Sequence, residues 1–285
     1  FITWWRGLPS SSSHALVGGL SGAVVVSAGP DHVLWGFEQL LDGEVTGVTK
    51  VLLALFLSPL AGFWVGFILQ RITLFLFRAA SPLLNRELRG AQWLSTAGLA
   101  FAHGANDVAN AIGPLAAIVL SQSNDFPDLV FWYLGALNPE VPIWVSAVGA
   151  CGISAGLLLF GRRLVTVVGK KITKLSPVRA FCITLATAAT VLTASGAGLP
   201  VSSTHIAVGA LFGVGFYREW YRNKYVAEGG VMKPRKMMKN REERRRRLLV
   251  RRSSLITIIA AWVVTVPASA LLAAGLFTVL KLVLS

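Results

Sequence analysis

Long apolar runs dominate this sequence and limit what it can fold into. A membrane-spanning helix needs about 20 mostly apolar residues in succession. Four runs reach that length: 51–77, 91–121, 141–160 and 178–197. A fifth run, 254–284, is interrupted by Pro267, whereas the Gly-rich stretches 15–28 and 206–216 are short for a straight crossing. We therefore predict an all-α polytopic membrane protein, in which the short stretches form broken or re-entrant helices near the midplane.

The composition also indicates a membrane environment. Hydrophobic residues make up 54% of the chain and charged residues only 14%, against about 25% charged residues in soluble domains. This apolar content excludes intrinsic disorder. Two cysteines, Cys151 and Cys182, are too few for a disulfide framework, which excludes a small disulfide-stabilised secreted domain.

The charges lie between the apolar runs and predict an orientation. Segments 29–50 and 122–140 are acidic, whereas 78–89, 161–177 and 218–252 are basic. The positive-inside rule places the basic segments in the cytoplasm. We therefore expect a multi-pass protein of the plasma membrane, with its C-terminus outside. Since the net charge of +14 belongs to these loops, membrane lipids are expected partners and nucleic acid is not.

A sequence repeat connects the two ends of the chain. Residues 8–14 read LPSSSSH and continue as ALVGGLSG, and residues 199–205, which start 191 residues later, read LPVSSTH and continue as IAVGALFG. The charge pattern makes the first copy run from inside to outside and the second from outside to inside. Antiparallel copies are typical of inverted-repeat transporters.

The repeat predicts a division of the chain into two halves. We expect residues 1–77 to be the remainder of a first inverted repeat and residues 78–90 to be a cytoplasmic connection. Residues 91–285 would then form the second inverted repeat, including a basic cytoplasmic loop at 218–253.

Each copy of the repeat predicts a helix start that binds an anion. Hydroxyl side chains cap free backbone N–H groups and proline is tolerated in a first helical turn, while the helix dipole favours negative charge there. The candidate substrate ligands are Ser11, Ser12, Ser13, Ser202, Ser203 and Thr204. We expect the two copies to contribute comparably. The alternative is that these hydroxyls only cap helices or bond back to carbonyls.

A polar motif lies within the apolar run 91–121, where residues 101–114 read FAHGANDVANAIGP. A carboxylate in hydrocarbon costs about 3 kcal/mol on insertion scales, so an intramembrane Asp indicates a functional site. On a helix, four polar residues share one face: His103, Asn106, Asp107 and Asn110. Gly104 and the Gly113–Pro114 pair would allow a break beside them.

The oxygen atoms of this motif suit a small cation. Asn106, Asp107 and Asn110 are therefore candidate ligands of the substrate and of a coupling cation, either H⁺ or Na⁺, with Na⁺ at Asp107. The alternative is a structural polar network that holds helices together.

These motifs resemble the signatures of the inorganic phosphate transporter (PiT) family. The resemblance is carried by three strings, HGANDVANAIGPLAAI, GLPVSSTHIAVGALFGVGF and the opening LPSSSSHALVGGLSG. It extends over nearly the whole chain and implies symport of inorganic phosphate with Na⁺ or H⁺ by alternating access, without enzymatic activity or cofactor. It also implies phosphate binding at both hydroxyl motifs, and phosphate and cation binding at Asn106, Asp107 and Asn110.

The sequence departs from the family in one respect. The family carries a GxxDxAN-like motif in each half, but the position 191 residues before Asp107 lies ahead of residue 1. The first-half motif is thus absent from this sequence. Either the chain is N-terminally incomplete, which we expect, or half of the substrate site is missing.

Other functions and roles remain open from the sequence. One is transport or channelling of another small oxyanion such as sulfate. Another is an intramembrane serine hydrolase with Ser203 as nucleophile, His205 as base and Asp107 orienting the base, although a duplicated nucleophile motif argues against it. We expect His14, His103 and His205 to support the site, with His14 and His205 as hydrogen-bonding groups, and we expect the chain to be compatible with a homo-oligomer.

Overall fold

The computed structural model describes residues 10–76, 82–122, 142–167, 176–227 and 252–284. Within these ranges the chain forms eight α-helices and a short 3-10 turn at Pro30–His32, and it contains no strand. The helices are α1 Ser12–Ser27, α2 Phe37–Leu41, α3 Gly47–Leu76, α4 Pro82–Gln122, α5 Ile143–Val167, α6 Pro177–Gly196, α7 Ser203–Ala227 and α8 Arg252–Leu284. The predicted all-α class is confirmed.

Four helical segments in the described ranges are long and apolar enough to cross a membrane. They are Gly47–Leu76, Ile143–Arg162, Pro177–Gly196 and Trp262–Leu284. The predicted run 91–121 lies in α4, whose central polar residues make it less apolar than these four. The prediction of a polytopic membrane protein is confirmed.

Several helix ends differ from the predicted boundaries. Helix α4 begins at Pro82, within the segment 78–90 that we predicted as a connection, and α7 continues to Ala227, into the predicted loop 218–253. Helix α8 begins at Arg252, inside the same predicted loop. Residues 228–251 of that loop and residues 123–140 of the predicted outer loop 122–140 lie outside the described residues.

The helices are not broken at the glycines and prolines where the sequence predicted a break. Helix α4 is continuous through Gly104 and Pro114, and α8 is continuous through Pro267. The chain is interrupted instead between α6 and α7. There Gly198 has φ +65°, the Gly198 N–H bonds the Ser195 carbonyl and the Leu199 N–H bonds the Ala194 carbonyl, which is a glycine-terminated helix end of the Schellman type.

Helices α1 and α8 pack closely because α1 has two glycines on the contact face. A Cβ atom on Gly18 would collide with the Val266 carbonyl, and four residues later a Cβ atom on Gly22 would collide with the Ala270 carbonyl. Small residues at this spacing let membrane helices approach at backbone distance. The residue numbers rise together, so the two helices run parallel.

Helices α3 and α7 pack in the same manner. The glycines of α7, Gly209 and Gly213, stand 191 residues after the two glycines of α1. A Cβ atom on either would collide with a backbone carbonyl of α3, that of Pro59 or Phe63 respectively. The two copies of the repeat therefore build two equivalent parallel pairs, α1/α8 and α3/α7.

Among the described helices, α7 has the most buried residues. Its buried residues start at the second hydroxyl motif. Every residue from Ser203 to Tyr217 is buried or half-buried. Ile206 packs with Val201, Val191 of α6 and Ala102 of α4 in one apolar cluster. This cluster holds the start of α7 against α4, one turn from the polar face of α4.

Candidate functional site

The two hydroxyl motifs form matching helix starts. Ser11 precedes α1 and its Oγ accepts a hydrogen bond from the backbone N–H of His14, at 3.2 Å. Ser202 precedes α7 and its Oγ accepts from the backbone N–H of His205, at 3.3 Å. Both serines are buried. The predicted helix starts are present, and the first serine of each triplet acts as an N-cap.

The polar face of α4 meets the second motif. The Oγ of Ser203 donates to the Asp107 carboxylate and lies 3.3 Å from both of its oxygens. The Asn106 amide also donates to Asp107, at 3.0 Å from Oδ1. Asp107 is half-buried, so these neutral donors stabilise its charge where water has limited access.

The first motif reaches the same place through a shared carbonyl. The Val201 carbonyl oxygen accepts from Asn106 Nδ2 at 3.1 Å and from Ser13 Oγ at 3.2 Å. Ser13 in turn accepts from Asn110 Nδ2 at 3.0 Å. Residues of α1, α4 and the α6–α7 junction thus form one connected polar network, although they are far apart in sequence.

Two of the predicted ligands lie apart from this network. Ser12 is exposed and Thr204 is half-buried. In the described part of the chain, neither side chain has a hydrogen-bond partner. Of the six hydroxyl residues, the structure therefore brings Ser13 and Ser203 to the α4 motif and uses Ser11 and Ser202 as caps.

The oxygen atoms around Asp107 are suited to a hard cation. The Asp107 carboxylate and the Val201 carbonyl both accept from Asn106 Nδ2, whereas the Asn106 amide oxygen accepts from Ser195. Oxygen ligands of this kind fit Na⁺, and the carboxylate alone can take a proton. No group of three or more His, Cys, Asp or Glu side chains suited to a metal ion occurs in the described ranges.

The three histidines lie beside the network, and His14 and His205 do not make the hydrogen bonds that we expected of them. The ring nitrogens of His205, Nδ1 of His14 and Nε2 of His103 are buried, and they have no hydrogen-bond partner among the described residues. The rings of His14 and His205 instead contact each other, with centroids 4.4 Å apart. His14 and His205 are therefore packing residues in this structure.

The hydrolase arrangement is not formed. Ser203 bonds directly to the carboxylate of Asp107, whereas the ring of His205 packs against His14 and Trp262. A serine nucleophile needs its base within hydrogen-bond reach, and that base needs an orienting carboxylate. The three residues are neighbours, but their contacts do not give this order.

Two members of the network were not predicted from the sequence. Ser195 Oγ donates to Asn106 Oδ1 at 3.3 Å, and Val201 contributes only its backbone carbonyl. Ser195 gave a weak signal, as a hydroxyl residue in the last turn of an apolar helix just before a glycine-rich turn. A backbone carbonyl that accepts a hydrogen bond cannot be recognised from the residue type.

Known proteins resemble this chain over most of its length. A probable low-affinity inorganic phosphate transporter of Rhizobium meliloti is 33% identical, over 96% of this chain and 68% of its own. A protein of the same description from Bacillus subtilis is 30% identical, over 99% of this chain and 71% of its own. A Helicobacter pylori protein described as a candidate phosphate permease is 37% identical, and this chain spans 51% of its length.

A solved structure and a family profile agree with these relatives. The structure, of a sodium-dependent phosphate transporter, superposes with a TM-score of 0.70 at 26% identity, over 99% of this chain and 76% of that one. The profile of the phosphate transporter family (PHO4) matches residues 1–88 and 78–273. The chain therefore belongs to the phosphate transporter family, a family of membrane transporters, which confirms the predicted family and the prediction that it is not an enzyme.

Proposed function

We propose that this protein transports inorganic phosphate across the membrane together with a cation, Na⁺ or H⁺, by alternating access. The observation that carries the proposal is a network of hydrogen bonds. Ser203 donates to Asp107, and Asn106 donates both to Asp107 and to the Val201 carbonyl, which also accepts from Ser13. It connects both hydroxyl motifs to one intramembrane carboxylate. Family membership and the relatives described as phosphate transporters support the choice of substrate.

The chemistry of the network suits a small tetrahedral oxyanion. The network offers several uncharged hydrogen-bond donors: serine hydroxyls, side-chain amide N–H groups and the backbone N–H groups at two helix starts. Such donors can bind phosphate oxygens without Arg or Lys. Asp107 and the Asn106 amide oxygen can accept the proton of HPO₄²⁻, which sulfate lacks. The substrate ligands in this proposal are Ser13, Ser203, Asn106, Asp107 and Asn110.

A coupling cation follows from electrostatics. Two unit charges of the same sign 4 Å apart repel by about 4 kcal/mol at an effective dielectric constant of 20, and a dianion raises this cost. Phosphate beside Asp107 therefore needs a compensating Na⁺ or H⁺. Loading the anion and the cation together gives symport.

The two parallel helix pairs support the inverted-repeat mechanism. In this proposal residues 1–77 belong to one repeat, residues 91–285 to the other and residues 78–90 connect them in the cytoplasm. The basic segments face the cytoplasm of a plasma-membrane protein and the C-terminus lies outside. Each pair joins one helix of each repeat. Rocking of the α1/α8 pair against the α3/α7 pair would then expose the network to each side in turn.

Uptake of radiolabelled phosphate into liposomes that contain the full-length protein tests this function. We expect labelled phosphate to accumulate when a Na⁺ or pH gradient is imposed. An excess of unlabelled phosphate should inhibit this uptake strongly, and the same concentration of sulfate should inhibit it only weakly. Uptake that is independent of both gradients would indicate a channel. Equal competition by sulfate would reject phosphate as the specific substrate.

A further inference from the structure

Two histidines meet where the hydroxyl motifs face each other. His14 is the third residue of α1 and His205 is the third residue of α7, and they are equivalent positions of the repeat. Their rings lie 4.4 Å apart with 55° between the planes. His205 is fully buried and His14 is 8% exposed. Since α1 packs mainly on α8 and α7 mainly on α3, this contact joins the two helix pairs.

A third ring completes the contact. Trp262 lies on α8, and its ring centroid is 3.8 Å from that of His205, with 31° between the planes. The ring of His205, from the α3/α7 pair, is thus held by two rings of the α1/α8 pair. We call His14, His205 and Trp262 the ring stack.

The ring stack is held by contact between tilted rings and not by hydrogen bonds of their nitrogens. Nδ1 of His14, both ring nitrogens of His205 and Nε1 of Trp262 are buried, with no hydrogen-bond partner in the described ranges. Aromatic rings attract each other over a range of tilts, whereas a hydrogen bond weakens steeply when its angle changes. Both histidines also lie in the first turn of a helix, where the dipole disfavours a positive charge. A neutral stack can therefore turn without losing its contact.

We propose that the ring stack is the pivot between the α1/α8 pair and the α3/α7 pair. It keeps the distance between the two hydroxyl motifs constant while the two helix pairs move relative to each other. Ser13 immediately precedes His14, and Ser203 lies two residues before His205, so these rings are positioning residues for the two serines that contact the α4 motif. The inference rests on the proposed function and adds residues that do not themselves touch phosphate.

Substitutions that remove the ring of His14 or His205 test the pivot in the uptake assay. All variants are compared at equal amounts of protein in the membrane. We expect His14→Ala and His205→Ala each to raise the KM for phosphate about five- to tenfold, because each loses the aromatic contact. The KM of the double variant should be no higher than the higher KM of the two single variants, because both substitutions remove the same contact. His205→Phe keeps a ring face and should stay within about threefold of the wild-type KM, with an unchanged pH profile.

The chain offers a matched control and clear contrary outcomes. His32 is exposed in the 3-10 turn, and His32→Phe should leave KM unchanged. A wild-type KM in His205→Ala, with only its abundance lowered, would overturn the pivot. So would a His205→Phe variant as weak as His205→Ala with a shifted pH profile, because the imidazole nitrogens would then be the active groups.

The proposed function can fail separately from the pivot. If the wild-type protein takes up no phosphate, the proposed function is rejected and the pivot is judged on thermal unfolding of the purified protein. There, coupled effects of His14→Ala and His205→Ala support the contact, and additive effects overturn it.

Discussion

The two hydroxyl motifs have nearly the same sequence and the same helix start, but they meet different surroundings. In both, the first serine caps the helix through the N–H three residues later. In the second motif Ser203 donates to Asp107, while its counterpart Ser12 is exposed. Conversely, Ser13 joins the network through Asn110, while its counterpart Thr204 has no side-chain bond in the described residues.

This difference separates what the repeat encodes from what its surroundings supply. The capping serine and the two glycines determine the helix start and its close packing, and these are the same in both copies. The role of each remaining hydroxyl depends on whether the polar face of α4 lies beside it. The predictions below test this separation.

The largest effect should come from the residue that only the second motif contacts. Asp107→Asn removes the charge that recruits the coupling cation, so we expect gradient-driven phosphate uptake to fall by at least about 100-fold, since several kcal/mol of charge compensation are lost. Membrane insertion should be unchanged. The matched control is Asp31→Asn in the exposed 3-10 turn, which should transport normally. Full gradient-driven transport by Asp107→Asn would place the coupling charge elsewhere.

The next effect should be equal in the two copies, because it tests the shared packing. A leucine at Gly22 or Gly213 would press against a backbone carbonyl of the neighbouring helix, and backbone cannot move aside like a flexible side chain. We expect each variant to lose about 3 kcal/mol or more, at the upper end of overpacking effects. Thermal unfolding in detergent measures this loss.

An unobstructed glycine provides the control for that packing test. Among the described residues, no atom of another helix lies within 4 Å of the position that a Cβ atom on Gly275 of α8 would occupy. Since leucine also has the higher helix propensity, Gly275→Leu should unfold at or slightly above the wild-type temperature. A loss in only one of the Gly22 and Gly213 variants would show that the two helix pairs are not equivalent.

The sequence was sufficient for the helices and for the polar face of α4. Apolar runs of spanning length predict helices whatever their neighbours are, and the spacing of Asn106, Asp107 and Asn110 places them on one face of any helix. The same periodicity does not identify which helix lies opposite. Gly152 is as small as Gly213, yet in the described structure a Cβ atom on Gly152 would meet no neighbouring helix within 4 Å. Helix pairing could therefore not be derived from the sequence.

Local chemistry also misled the prediction of the breaks. Gly113 and Pro114 suggested an interruption, but α4 continues through them, because a proline removes one helical bond and the turns on each side retain theirs. The actual interruption at Gly198 needs a positive φ, which glycine permits but does not require. The contact of Ser13 with the Val201 carbonyl involves backbone and could not be read from residue types.

A smaller effect should separate Ser203 from Ser12. Ser203→Ala removes a hydrogen bond to a charged group, so we expect the KM for phosphate to rise by about tenfold, since such bonds contribute about 1.5–3 kcal/mol. Ser12→Ala removes no contact in the described structure and should change KM by less than about twofold. Uptake at matched membrane abundance measures both, with saturating phosphate to obtain the maximal rate. Equal increases would restore the expectation from the sequence that both copies bind phosphate comparably.

The smallest effect should be the same in both motifs and should concern stability alone. Ser11→Ala and Ser202→Ala each remove an N-cap, which costs about 1 kcal/mol of helix stability. Because their oxygens already accept from the N–H groups of His14 and His205, we expect a slightly lower unfolding temperature and an unchanged KM. Ser11→Asp and Ser202→Asp should recover stability, because aspartate also caps, but should weaken phosphate binding by adding a negative charge beside the network. Recovery of stability with no change in KM for either aspartate variant would show that the helix starts lie too far from the bound anion to belong to the site.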